Sequence, residues 1–186
     1  MYVLTLIVFS LILSLVPFSV AVSSSVYRCI QWKEALLISL CFALFQVMMA
    51  SLGWGIGYSV KHWLYDLTLP VAVFIMLFIG LRYFFDSRRK EREMRIIKVS
   101  SIRLLTGFAL AISINTFLLS IGLGILYTGM INFMGTLFVI VFVMTILGIR
   151  AGKLGWINLG RIAETAGSLL LFGIGIFMFA QYLKLI

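Results

Sequence analysis

Ser113 to Gly124 reads S-I-N-T-F-L-L-S-I-G-L-G and sets one amide, Asn115, in the middle of a long apolar run. The segment has an echo near the N-terminus. From Ser14 the chain reads S-L-V-P-F-S-V-A-V, which shares with S-I-N-T-F-L-L-S-I a serine, an aliphatic residue, two variable positions and a phenylalanine. The echo continues outward from these two stretches. Met49 opens M-A-S-L-G-W-G-I-G and Met144 opens M-T-I-L-G-I-R-A-G, alike in Met, Leu-Gly and the glycine four positions later. Ile79-Gly80 and Ile174-Gly175 make a third matching pair.

The composition states what kind of element is being repeated. Of 186 residues 63% are hydrophobic and only 11% charged, more apolar surface than a soluble domain of this size can bury. The apolar residues fall in runs of about 20, the length of a helix that crosses a bilayer. Six runs are expected: about 3–22, 35–60, 67–84, 102–126, 133–149 and 162–183. The fold class is therefore an all-α integral membrane protein, surrounded by the lipid bilayer.

The first run resembles a signal peptide in the small residues that follow it, Ala21 to Ser25. It has no basic residue ahead of it and is longer than a signal's apolar region, and its echo lies deep inside the chain, so a retained helix is expected.

Two repeats of three helices then account for the chain, 1–84 and 102–186, joined by a charged loop at 85–101. An odd number of crossings per repeat gives the halves opposite orientations. Inverted repeats of this sort are frequent in secondary transporters, with the substrate near the midplane where the halves meet.

Charge sets the orientation. The net charge is +9, but the basic residues gather between apolar runs, which reports topology and does not call for nucleic acid. With the 85–101 loop in the cytoplasm, Arg28, Lys33, Arg82 through Arg103, Arg150, Lys153 and Arg161 all fall inside, leaving Lys61 and Lys184 outside. Both termini are then outside a cell's inner (plasma) membrane. Lys61, His62, Trp63, Tyr65 and Asp66 are expected to form an interfacial turn, as is Y-T-G-M-I-N from Tyr127, and Trp32 to Glu34 to lie in the first connection.

Few residues in the runs can touch a solute. Pro17 removes a backbone donor and leaves the Leu13 carbonyl without its usual helical partner. Asn115 falls one position before the place that corresponds to Pro17 and offers an amide. Ser113, Thr116 and Ser120 share a helical face with each other, and Gln46 adds an amide in the second run. Gly53 and Gly57, like Gly148 and Gly152, lie four apart on one face, the spacing that lets another backbone approach closely. Cys29 and Cys41 have neither metal-site spacing nor the number of a disulfide framework. No nucleophile, base and acid come together, and no phosphate-binding glycine loop is present, so neither an enzyme nor an ATP-driven pump is expected, and no cofactor.

The paired echoes, the L-G-W-G-I-G ending of the second run, the A-E-T-A-G-S-L-L-L-F-G-I-G-I segment from Ala163 and the charged central loop together resemble the MntP-type manganese efflux pumps of the LysE-like transporter group. The resemblance covers essentially the full chain and implies a secondary transporter of Mn2+ or a similar divalent cation. It also implies acids in the first, second and fourth helices. The matching positions here hold Val16, Gln46 and Asn115, so all three carboxylates are missing.

Neutral amide and hydroxyl oxygens supply dipoles in place of charge, which implies weakened or altered metal specificity. Glu164 does match the family, at the cytoplasmic entrance of the sixth helix. Two other readings follow from a neutral site: an exporter of a non-metal solute, and a membrane scaffold that binds a partner without transporting.

Overall fold

The computed structural model describes residues 2–27, 30–64, 71, 74, 78, 81, 102–126, 130–155, 159, 160, 162, 163, 165–167, 169, 170, 172, 173 and 176. Within them the chain is helical, with no strand. Four long helices dominate: α1 (Tyr2–Tyr27), α2 (Trp32–Leu64), α3 (Ile102–Leu126) and α4 (Met130–Lys153). Each contains an apolar span long enough to cross a bilayer: Leu6–Val26, Trp32–Lys61, Leu105–Ile125 and Met130–Lys153. At about 1.5 Å per residue even the shorter spans reach about 30 Å, the thickness of the hydrocarbon core. Most of the third run, the 85–101 loop, parts of the sixth run, Arg28, Cys29 and Glu164 lie outside the described residues.

Three boundaries differ from those expected. Lys61 to Trp63 belong to α2 and do not form a turn, because nothing after Gly57 breaks the helix before Leu64. Trp32 to Glu34 likewise form its first turn. There the Gln31 N–H donates to Glu34 Oε2 at 3.2 Å and the Ala35 N–H to the Gln31 carbonyl at 2.9 Å. This is the glutamate half of a capping box, which satisfies a donor at the helix start. α4 begins at Met130, so Ile131 and Asn132 are also helical, and Thr136 Oγ1 donates back to the Asn132 carbonyl at 2.7 Å.

The far end of α4 is closed by Gly155. Its φ of +79° is a left-handed conformation that favours glycine, and its N–H donates to the Gly152 carbonyl at 3.0 Å. The Arg150 guanidinium sits 5.3 Å from the centre of the Trp32 ring, which puts the end of α4 beside the start of α2.

α1 packs along α4, and α2 along α3. α2 and α4 meet over a shorter length, and α1 and α3 touch only lightly. Burial separates the helices: 78% of the α1 span and 61% of the α3 span are buried, against 39% for α2 and 22% for α4. α1 and α3 are the inner helices, and the exposed apolar faces of α2 and α4, with Leu44, Met48, Val139 and Leu147, are of the kind that lipid covers. The core runs from Phe9 and Leu13 of α1 through Phe42 and Trp54 of α2 and Leu119 and Leu123 of α3 to Phe133 and Leu137 of α4.

Candidate functional site

The glycine pairs set how closely the helices approach. On α2, a Cβ at Gly53 would run into the carbonyl oxygen of Phe117, and one at Gly57 into that of Ile121. On α4, a Cβ at Gly148 would lie 2.6 Å from the carbonyl oxygen of Phe18, and one at Gly152 would run into that of Val22. Phe18 and Phe117 are the phenylalanines of the two echoing segments, and Val22 and Ile121 follow them at the same spacing. Each glycine pair therefore packs against the matching backbone of the other half.

One further pair obeys the same register. Gly124 of α3 abuts the Trp54 carbonyl, where a Cβ would sit 2.5 Å from its oxygen, and Ser25 of α1, at the matching position, donates its hydroxyl to the Ile149 carbonyl at 2.6 Å. Ser25→Ala removes a hydrogen bond between helices and leaves the packing intact. Bonds of this kind contribute about 0.6 kcal/mol in membrane bundles, so the expected loss of stability in a detergent unfolding titration is of that order.

The inner helices carry most of the buried polar groups, and apart from Ser19 and Ser25 the buried polar side chains fall into two sets. In the first, hydroxyls donate to carbonyls of their own helix: Ser14 to Leu11 at 2.6 Å, Ser24 to Val20 at 2.7 Å and Ser113 to Ala109 at 2.7 Å, with Ser39 and Thr145 doing the same on α2 and α4. In the second, the polar atom is buried and without a partner: Ser10 Oγ, Gln46 Oε1, Asn115 Oδ1, Thr116 Oγ1 and Ser120 Oγ. The residues of this second set are between 0% and 6% exposed, so bulk solvent does not reach them.

Buried polar atoms are nearly always paired, and each exception calls for an explanation. Asn115, Thr116, Ser120 and Gln46 were singled out by sequence. Ser113 shares the face of Thr116 and Ser120 but is tied to its own helix. Ser10 was not singled out, and its only sequence signal is its place one turn before Ser14.

Pro17 has its expected effect, with a different outcome. α1 continues as a helix through Pro17, which has no N–H to give to Leu13. The freed carbonyl does not stand open to a solute: Gln46 Nε2 donates to it, at a long 3.5 Å. Since a carbonyl only accepts, it selects the nitrogen end of the amide and leaves Gln46 Oε1 as the free end. Val16, where the resemblance implies an acid, is buried among apolar side chains. Among the described residues no three of His, Cys, Asp and Glu come together as a charged metal site would require. The oxygens available are neutral.

The comparisons with known proteins now bear on this arrangement. The family described as "Putative manganese efflux pump" matches residues 29–179. The chain belongs to the MntP family. A relative of that description from Clostridium botulinum is 25% identical over all of this chain and 98% of its own length. One from Bacteroides thetaiotaomicron is 26% identical over 90% of this chain and 91% of its own. One from Serratia proteamaculans is 25% identical over 82% of each. No solved structure matches the chain. As a member of the MntP family it is a multi-pass membrane protein of a pump family and not an enzyme.

Proposed function

We propose that the chain is a secondary transporter that exports manganese or a similar divalent cation through a neutral, oxygen-lined centre on α2 and α3. The observation that carries this reading is the set of buried, unpartnered oxygens: Gln46 Oε1, Asn115 Oδ1, Thr116 Oγ1 and Ser120 Oγ. Hard divalent cations take oxygen ligands, and an oxygen left without a hydrogen bond is free to serve as one. With no carboxylate beside them among the described residues, these oxygens do little to offset the ion's charge, so binding is weak and metal selectivity broad.

The reciprocal packing of the glycine pairs supports the six-helix architecture of two inverted halves, 1–84 and 102–186. The basic residues support termini outside and a cytoplasmic 85–101 loop. Glu164 would then stand at the cytoplasmic entrance.

The test is manganese tolerance in a strain stripped of its own exporter. The native chain is expected to raise the tolerated concentration and lower cellular manganese, and Asn115→Leu, made at equal expression, to abolish both effects. A native chain that changes neither would sink this reading.

A second reading follows from the centre's neutrality, which also suits an uncharged solute with hydrogen-bonding groups. Its mark is thermal stabilisation of the purified protein by such a solute with none by Mn2+.

A further inference from the structure

Among the described residues, none of the five unpartnered groups is matched by a polar side chain at the equivalent position of the other half. In the register fixed by the glycine contacts, Ser10 corresponds to Ala109, Gln46 to Val141, Asn115 to Val16, Thr116 to Pro17 and Ser120 to Ala21. Every member of the unpartnered set thus has an apolar counterpart, and all five counterparts are buried.

Position along the helices adds the second half of the inference. α2 and α3 run the same way, since the step from Gly53 to Gly57 follows that from Phe117 to Ile121. Gln46 lies near the middle of its span and touches Leu13. From that level Ser10 lies about 4.5 Å toward the face where α1 begins, which is also the face where α3 ends. Asn115, Thr116 and Ser120 continue in the same direction over a further stretch of α3, Ser120 standing about 7.5 Å beyond Asn115. The mates Val16, Pro17, Ala21 and Ala109 lie on the other side of the midplane. Hydroxyls do occur there, Ser19 among them, but those of Ser24 and Ser25 donate hydrogen bonds to the Val20 and Ile149 carbonyls.

We infer that the transport path is one-sided: a polar half-path leads from the face where α3 ends down to Gln46, and an apolar plug of Val16, Pro17 and Ala21 closes it toward the opposite face. Unpartnered polar atoms carry the full penalty of desolvation, so this half is the one that gains by opening and admitting water with a hydrated cation or a small hydrogen-bonding solute. The apolar half gains nothing by wetting and acts as a hydrophobic gate, which excludes ions by staying dry. In the orientation proposed above, the polar half faces outside and the gate faces the cytoplasm.

The inference rests on the transport reading of this centre, but its test needs no substrate. In a chain freed of native thiols by Cys29→Ser and Cys41→Ala, single cysteines are placed by Thr116→Cys, Ser120→Cys, Val16→Cys and Ala21→Cys. A small charged, membrane-impermeant thiol reagent is then applied from each face, using intact cells and inverted vesicles, with Leu154→Cys, an exposed position just past α4, reporting access to the plugged face.

The expected result is that the two α3 cysteines react from the face where α3 ends at least tenfold faster than the two α1 cysteines react from either face. Equal rates in the two sets, faster reaction of the α1 pair, or no reaction of the α3 pair while Leu154→Cys is modified would each overturn it. One-sided labelling in a chain that moves no manganese would leave this inference standing and remove the manganese reading.

Discussion

Gly57→Ala unfolds the bundle at a much lower denaturant concentration than the native chain, whereas Gly55→Ala, on the same helix, does not. The contrast follows from what each added methyl meets. At Gly57 the new carbon runs into the Ile121 carbonyl oxygen and comes within 3.0 Å of its carbon and 3.2 Å of Gly124 Cα, all of it backbone that no rotamer change can move aside. α2 and α3 must separate, which loses the packing between them and between Trp54 and Gly124. Overpacking of this kind costs about 1 to 3 kcal/mol in a core that can adjust, and a backbone obstacle leaves little adjustment, so about 3 kcal/mol is expected.

Gly55 faces outward with nothing within 4 Å, and alanine there gains about 1 kcal/mol of helix propensity. The matching experiment on the other half is Gly152→Ala, which meets the Val22 carbonyl and Ser25 Cβ, and a loss of similar size is expected there. Equal stabilities for Gly55→Ala and Gly57→Ala in an unfolding titration would show that α2 and α3 do not approach at this glycine.

The contrast also marks how much of the fold was legible beforehand. Gly53, Gly57, Gly148 and Gly152 declare themselves by spacing, because four residues is close to one helical turn and the motif occurs twice. Their partners do not. Nothing in the order of residues says that Gly53 rests on Phe117 and not on a neighbour one turn away, since that choice is made by the packing of whole helix faces in the bundle.

The centre shows the same division. Pro17 announces an orphaned carbonyl at Leu13, a consequence of covalent structure. That Gln46, more than thirty residues away, donates to it depends on how α1 and α2 cross. Ser113, Thr116 and Ser120 share a face by arithmetic, yet Ser113 bonds to Ala109 and the other two bond to nothing. That difference is one of side-chain rotamer, which spacing does not encode. The helix ends at Trp32, Leu64 and Met130 ran past the apolar runs for a related reason: polarity marks where the bilayer ends, and a helix ends only where its hydrogen bonds do.

The largest functional effect is expected from restoring charge to the centre, in the triple variant Val16→Asp, Gln46→Glu, Asn115→Asp. In the transport reading proposed above, a divalent cation would meet the oxygens of Gln46, Asn115, Thr116 and Ser120, none of them charged. The cost of removing its waters is then opposed only by dipoles. Carboxylates both ligate the ion and cancel its charge, so the variant is expected to take up manganese at least tenfold more tightly in proteoliposome flux measurements.

Two further consequences separate this from a general rise in activity. Without metal the variant is less stable than the native chain, because three acids are buried with no cation beside them, and manganese restores what was lost. Its flux also climbs as pH rises, since a carboxylate must shed its proton before it can ligate. The native centre has no such proton to shed, and its flux is expected to stay level across the same pH range. A native chain that already matched the variant in affinity and in pH response would mean that the acids doing this work lie elsewhere, and that the polar set around Asn115 is packing between helices.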